Sequence, residues 1–207
     1  MADHRRRAGA PAGHTARASW LVVLALLLLP ALAPAELPSD LPLDPSEEDR
    51  WVLVDTERHK VAVFDGDHRL ATFDNPAVGR GGTSEHRRRG DRTTPLGAFE
   101  VDHVNHDSHY HLFLSLDYPS VTDARQALEA GVIDEAEYEH YLDEYRRLGR
   151  RPQRTALGGH IGIHGTGDRN VAFHRRVHWT DGCVALEDAQ MDALAELVEV
   201  GTPVVIR

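Results

Sequence analysis

Cysteine is almost absent from this chain: Cys183 is the only one in 207 residues. A lone thiol cannot bridge to another within the chain, so no disulfide framework holds the fold. Lysine is equally scarce. Lys60 stands alone among basic residues that are otherwise arginine, which reads as coding bias. Positive charge is the minority sign, with a formal net charge of -10. A surface of that sign repels nucleic acid and anionic lipid, which removes both as expected partners. No internal repeat is found. The longest unbroken apolar run, Trp20 to Leu29, falls short of the ~20 residues a bilayer-spanning helix needs.

What is present at the N-terminus is a three-part export signal. Arg5, Arg6, Arg7 and Arg17 make a basic leader, the apolar run follows, and Ala33-Pro34-Ala35 offers small residues for a signal peptidase. Residues 1–35 are therefore expected to be a signal peptide, with an uncleaved anchor, extended through Ala31 and Leu32, as the alternative. No cysteine stands at the cleavage site, so a lipid-anchored form is not expected. Cleavage takes four arginines and one aspartate from the 23 basic and 33 acidic side chains, leaving 19 against 32. Residues 36–50, rich in Pro, Asp and Glu, read as a linker, and residues 51–207 as one domain long enough to bury a core.

Short β-type runs dominate that domain: Trp51–Val54, Lys60–Phe64 and Leu70–Phe73, then Gly97–Val101, Leu112–Leu116, His160–His164 and Pro203–Ile206. Helical spacing is confined to three places. Asp123–Ala130 ends at Gly131. Asp134 with Glu137 forms a capping box ahead of Tyr138, Tyr141, Leu142, Tyr145 and Leu148, and Gly149 stops that helix. A last helix is expected from Asp188 to Val200. The fold class is α+β, mainly β: an antiparallel, sandwich-like domain with two or three helices at its edges. Between strands, Gly79 to Phe99 is rich in glycine and carries five arginines, Arg80, Arg87, Arg88, Arg89 and Arg92. It reads as a surface loop, and its guanidinium groups suit carboxylates.

An isolated thiol in an exported protein is either a small buried hydrophobe or a nucleophile. Around Cys183 the sequence runs "HWTDGCVALED". Gly182 leaves room for a substrate carbonyl, and the N–H groups of Gly182 and Cys183 are candidates for an oxyanion site. A nucleophilic thiol also needs a base, and His160, His164, His174 and His178 compete. His164 is preferred because it ends an alternating strand beside Gly165 and Gly167, 19 residues ahead of the cysteine. His160 is placed on the same strand face, deeper or on the partner edge, and His178 in a packing or substrate-contact role. Thr180 and Asp181 are candidates for shaping the turn.

These residues carry a resemblance. "HGT" at His164, then Thr180-x-Gly182-Cys183, looks like the catalytic signature of the L,D-transpeptidase (YkuD-type) domain. "GDRTTPLGAF" at Gly90 to Phe99 and the closing "VGTPVVI" match two further signatures of that family. Asp181 and Ala185 depart from its commonest pattern and, with "HLFLSLDYPSVTDA" at His111 to Ala124, are similar to the short ErfK/YafK-like murein branch. The resemblance implies a periplasmic monomer without cofactor or metal. It implies that Cys183 attacks the diaminopimelate carbonyl of a peptidoglycan stem peptide while His164 moves the proton. Transfer to an amine is the expected outcome. Hydrolysis of the stem peptide or of a murein–lipoprotein link is the alternative, so a murein-linked lipoprotein is a second candidate partner. Arg80, Arg92, His111 and Tyr118 are weaker candidates for substrate contact. Two other classes compete. The run His103, His106, His109, His111 raises a zinc peptidase, though no H-E-x-x-H spacing accompanies it, and a murein-binding domain without catalysis is the third reading.

Overall fold

The computed structural model describes residues 37–39 and 41–207; the expected signal peptide lies outside them. The strands are β1 (Trp51–Asp55), β2 (Lys60–Asp65), β3 (His68–Asp74), β4 (Thr83–Ser84), β5 (Thr94–Pro95), β6 (Gly97–Ser108), β7 (His111–Leu116), β8 (Gly162–His164), β9 (Val184–Ala185) and β10 (Pro203–Ile206). The α-helices are α1 (Val121–Glu129), α2 (Glu135–Leu148), α3 (Val171–His174) and α4 (Asp188–Ala195). Eight strands form one sheet in the order β3-β2-β1-β10-β6-β7-β8-β9, while β4 and β5 form a separate pair. The mainly β, α+β class holds. The sheet is mixed: all neighbours run antiparallel except β1 with β10 and β8 with β9.

Strand alternation sorts the apolar residues between two faces. Val52 and Val54, Val61 and Val63, Val204 and Ile206, and Leu112, Leu114 and Leu116 point into the main core. There they meet Ala124 and Ala127 of α1, Tyr141 of α2, and Met191 and Leu194 of α4. The alternate residues Trp51, Leu53, Ala62, Phe64 and Val205 form a second cluster on the other face, with Trp51 stacked on Phe64 at 4.6 Å. Leu37, Leu41 and Leu43 pack on that cluster. Glu48 accepts a bond from Gly66 N–H and Arg50 donates to the Leu197 carbonyl. The segment read as a linker therefore lies against the sheet as a strap.

Helix boundaries follow caps. α1 begins earlier than expected, because Ser120 and Asp123 form a capping box that the sequence reading passed over. α2 starts and stops as expected, with Asp134 and Glu137 in the box and Gly149 in the left-handed conformation at φ 64°. α4 ends at Ala195, short of the expected Val200; residues 196–201 are non-helical and lead Gly201 N–H to the Val101 carbonyl. The arginine-rich loop is less exposed than expected. Asp91 caps it internally, accepting from Arg88 N–H and Thr93 N–H, and Arg87 is buried.

Candidate active site

β7, β8 and β9 build the site floor. Leu114, Ile163 and Val184 are register partners facing the core, so Phe113, His164 and Ala185 fall on the opposite face. Cys183 immediately precedes Val184 and shares the His164 face by the same alternation. Sequence spacing alone leaves the pair unrelated; parallel pairing of β8 with β9 brings them together. Both line a cleft of about 660 Å³ with Arg80, Tyr110, Phe113, His160, Arg169, Phe173 and Trp179 among its walls. A second hollow adjoins it and shares Tyr110, Arg169 and Phe173.

His164 is held on every side. Tyr110 stacks on its ring at 4.2 Å, Phe113 lies parallel at 5.8 Å, and Trp179 meets it edge-on at 5.6 Å. Its Nδ1 lies 2.7 Å from the Gly165 carbonyl. A carbonyl only accepts, so Nδ1 carries the proton and Nε2 is left as the acceptor. Burial pushes the ring down to about 4, against the smaller opposing pull of the Gly165 carbonyl. The glycine loop behind it is tied to α4: Asp188 Oδ1 accepts from Thr166 Oγ1 at 3.1 Å and from Gly167 N–H at 2.9 Å. Asp188 approaches so closely that a side chain at Gly165 would meet its Oδ1 at 2.5 Å.

The turn that carries Cys183 is organised by Thr180. Its hydroxyl donates to the Cys183 carbonyl at 2.6 Å and accepts from Gly182 N–H at 3.2 Å. The Gly182 amide is thus engaged within the turn, and the Cys183 amide is the one left to an oxyanion. The thiol donates to the His160 carbonyl at 3.3 Å. Burial pushes it up to about 11, partly offset by the Gly162 backbone and by Arg87. At rest the pair is a neutral thiol beside a neutral imidazole.

The remaining candidates are placed as follows. His160 is not on β8; it precedes the strand in a left-handed conformation, φ 53°, and lines the cleft. Asp181 does not orient His164: its carboxylate takes Arg80 at 2.5 Å, with Arg92 at 3.7 Å. Arg80 therefore reaches the cleft already paired, and Arg92 is drawn to the same carboxylate. His111 does not line the cleft and pairs with Asp192 at 2.6 Å. Tyr118 is a core residue whose hydroxyl donates to the Leu157 carbonyl. The other histidines of the 103–111 run follow the β6–β7 hairpin, where the His109 ring lies tilted against Tyr110 at 3.8 Å. Among the described residues no cluster of His, Cys, Asp or Glu is arranged to hold a metal ion. His178 Nδ1 accepts from Val78 N–H at 3.1 Å, and its ring also borders the cleft.

Sequence reasoning passed over Tyr110, Phe113, Arg169 and the tie from Asp188. Arg169 lies 4.0 Å above the Trp179 ring and 5.8 Å from the Phe173 ring. Trp179 is fixed in turn by donating its Nε1–H to His174 Nδ1 at 3.1 Å. The arrangement can activate a thiol, accept its proton on a ring of fixed tautomer, and present one amide to a developing oxyanion.

A family model, the YkuD L,D-transpeptidase catalytic domain, matches residues 49–206. No curated protein matches. Among solved structures, the helical cell shape determining protein Pgp2 from Campylobacter jejuni superposes with a TM-score of 0.52 at 18% identity, over 78% of this chain and 48% of that one. Bd1075 from Bdellovibrio bacteriovorus gives 0.48 at 20%, over 77% and 48%. The L,D-transpeptidase from Xylanimonas cellulosilytica gives 0.43 at 18%, over 77% and 61%. This chain thus spans about half the length of the first two. With a family model matching residues 49–206, most of the sequence, the chain belongs to the L,D-transpeptidase catalytic-domain family.

Proposed function

We propose that this protein is a cysteine-dependent peptidoglycan L,D-transpeptidase of the periplasm that remodels the cell wall. The observation that carries the reading is the placement of Cys183 and His164 on one face of the β8–β9 pair, opening into a single cleft. Cys183 Sγ attacks the diaminopimelate carbonyl of a stem tetrapeptide as its proton passes to His164 Nε2. The Cys183 N–H holds the oxyanion. Collapse expels D-alanine, which takes the proton from His164, and leaves a thioester on Sγ. An acceptor amine then completes transfer, whereas water gives hydrolysis.

Incubation with purified disaccharide tetrapeptide and with lipoprotein-linked muropeptide, followed by mass analysis, tests this. Transfer gives a dimer with loss of one D-alanine. Hydrolysis gives tripeptide, or free lipoprotein from the linked substrate. Cys183→Ala abolishes turnover, and His164→Ala lowers it at least about 100-fold. Full activity in Cys183→Ala, or loss of activity to a chelator, overturns the reading.

A further inference from the structure

Arg87 is the least expected side chain near the site. The side chain is 5% exposed, and its Nε and Nη1 are buried with no hydrogen-bond partner among the described residues. Nη2 reaches the Asp181 carbonyl at 3.3 Å. The guanidinium lies 5.9 Å from the centre of the Tyr118 ring, and the nearest carboxylate, Asp91, stands 4.0 Å from Nε. A buried cation so poorly paired opposes folding and calls for a role.

Its position supplies one. Nη1 packs against the bare face of Gly182, where a side chain would meet it at 2.3 Å and the Thr93 carbonyl at 2.7 Å. Gly182 stands at φ 135°, which suits glycine. The absence of a side chain there therefore brings a positive charge against the residue that precedes the nucleophile. We propose that Arg87 is a positioning residue that acts through Cys183: its buried, under-compensated guanidinium is the fixed countercharge of the thiolate, and it touches no substrate.

The other groups around the sulfur do not fill that role. His164 on β8 is neutral at rest, and His160 offers its carbonyl. Asp181 on the same turn opposes the thiolate and is itself paired with Arg80. Arg87 is the cation whose field favours the thiolate, and burial protects that field from screening.

The inference rests on the proposed role of Cys183, but its test needs no peptidoglycan. Because the chain has one cysteine, alkylation by iodoacetamide reports on Cys183 alone. Between pH 7 and 9 the rate follows the thiolate fraction. Arg87→Met lowers it about tenfold at each pH, one unit of thiol titration, while Arg87→Lys stays within about twofold. Thermal melts confirm that both variants fold. A wild-type rate in Arg87→Met, or an equal fall in Arg87→Lys, overturns the proposal. Should Arg87→Met not fold, Asp91→Asn asks the same question by removing the nearest anion: the rate rises if Arg87 sets the thiolate population, and an unchanged rate overturns the idea. Failure of muropeptide turnover with these alkylation results intact would count against the substrate, not against Arg87.

Discussion

Arg80 and Arg169 both border the cleft, and they differ in what charge they have left to offer. Arg80 is bound to Asp181. Arg169 rests on Trp179 with no carboxylate partner among the described residues. Stacking limits its freedom without neutralising it, so less side-chain entropy is lost when it captures an anion. Stem peptides carry free carboxylates, and Arg169→Ala is expected to raise KM for a tetrapeptide stem about tenfold, roughly 1.4 kcal/mol, with kcat little changed. Steady-state kinetics on free and carboxyl-amidated stems checks this. The variant loses its preference between the two if the contact is to carboxylate. This residue was hidden in the sequence because its worth depends on Trp179, ten positions on, whose ring is aimed by His174. Arg87 was hidden more deeply. An arginine triplet at 87–89 reads as a solvated face, and nothing local says that the first of the three turns inward.

At the scale of elements, α2 acts as a clamp on that arginine-rich loop. Glu137 accepts from Asp134 N–H within the capping box and from Arg88 Nη1 and Nη2 at 3.1 and 2.5 Å. Arg88 also donates to the Val132 carbonyl, and Arg89 N–H bonds the Ala156 carbonyl at 2.7 Å. One carboxylate thus starts a helix and pins the segment from which Arg87 enters the core. Glu137→Ala is expected to cost about 1 kcal/mol and to speed amide exchange across residues 79–93. Glu135→Ala, in the same first turn without these contacts, has less than half the effect. The cap itself was legible, since Asp134 and Glu137 stand three residues apart ahead of an apolar stripe. The longer strands were legible for the same reason: alternation is a local signal. β9 has two residues and no period to read, and the β8–β9 pairing that brings His164 and Cys183 to one face is long-range. The span of α4 was overestimated because Leu197 and Val198 continue the stripe through turns that are no longer helical.

Over the whole molecule, one sheet face does two jobs. Towards β1, β2 and β10 it is covered by the leucine strap, and towards β7, β8 and β9 it carries the site. Keeping a histidine in that face has a consequence for stability. Burial holds His164 to about 4 in the folded protein, below the ordinary histidine value of 6.5. Below pH 6.5 the unfolded chain takes up a proton that the folded one refuses, so stability falls as pH drops from 6.5 towards 4. The loss from this group is about 2 kcal/mol at pH 5. His174 and His178, also pushed down by burial, act in the same direction. His111, raised chiefly by its bond to Asp192, opposes them. Urea unfolding at pH 7 and pH 5 measures the sum, and His164→Gln should flatten the profile by about its own share. An unchanged slope in that variant would mean that His164 is charged when folded.

The sheet order also carries a message about time. β10 lies between β1 and β6, so the final strand to be synthesised in this domain is the one that joins its two halves. Until residues 203–206 are available, the β3-β2-β1 meander and the β6–β7 hairpin each present an open edge, and neither can find its neighbour in the sheet. The eight-stranded sheet is therefore complete only when the far end of the domain is in place.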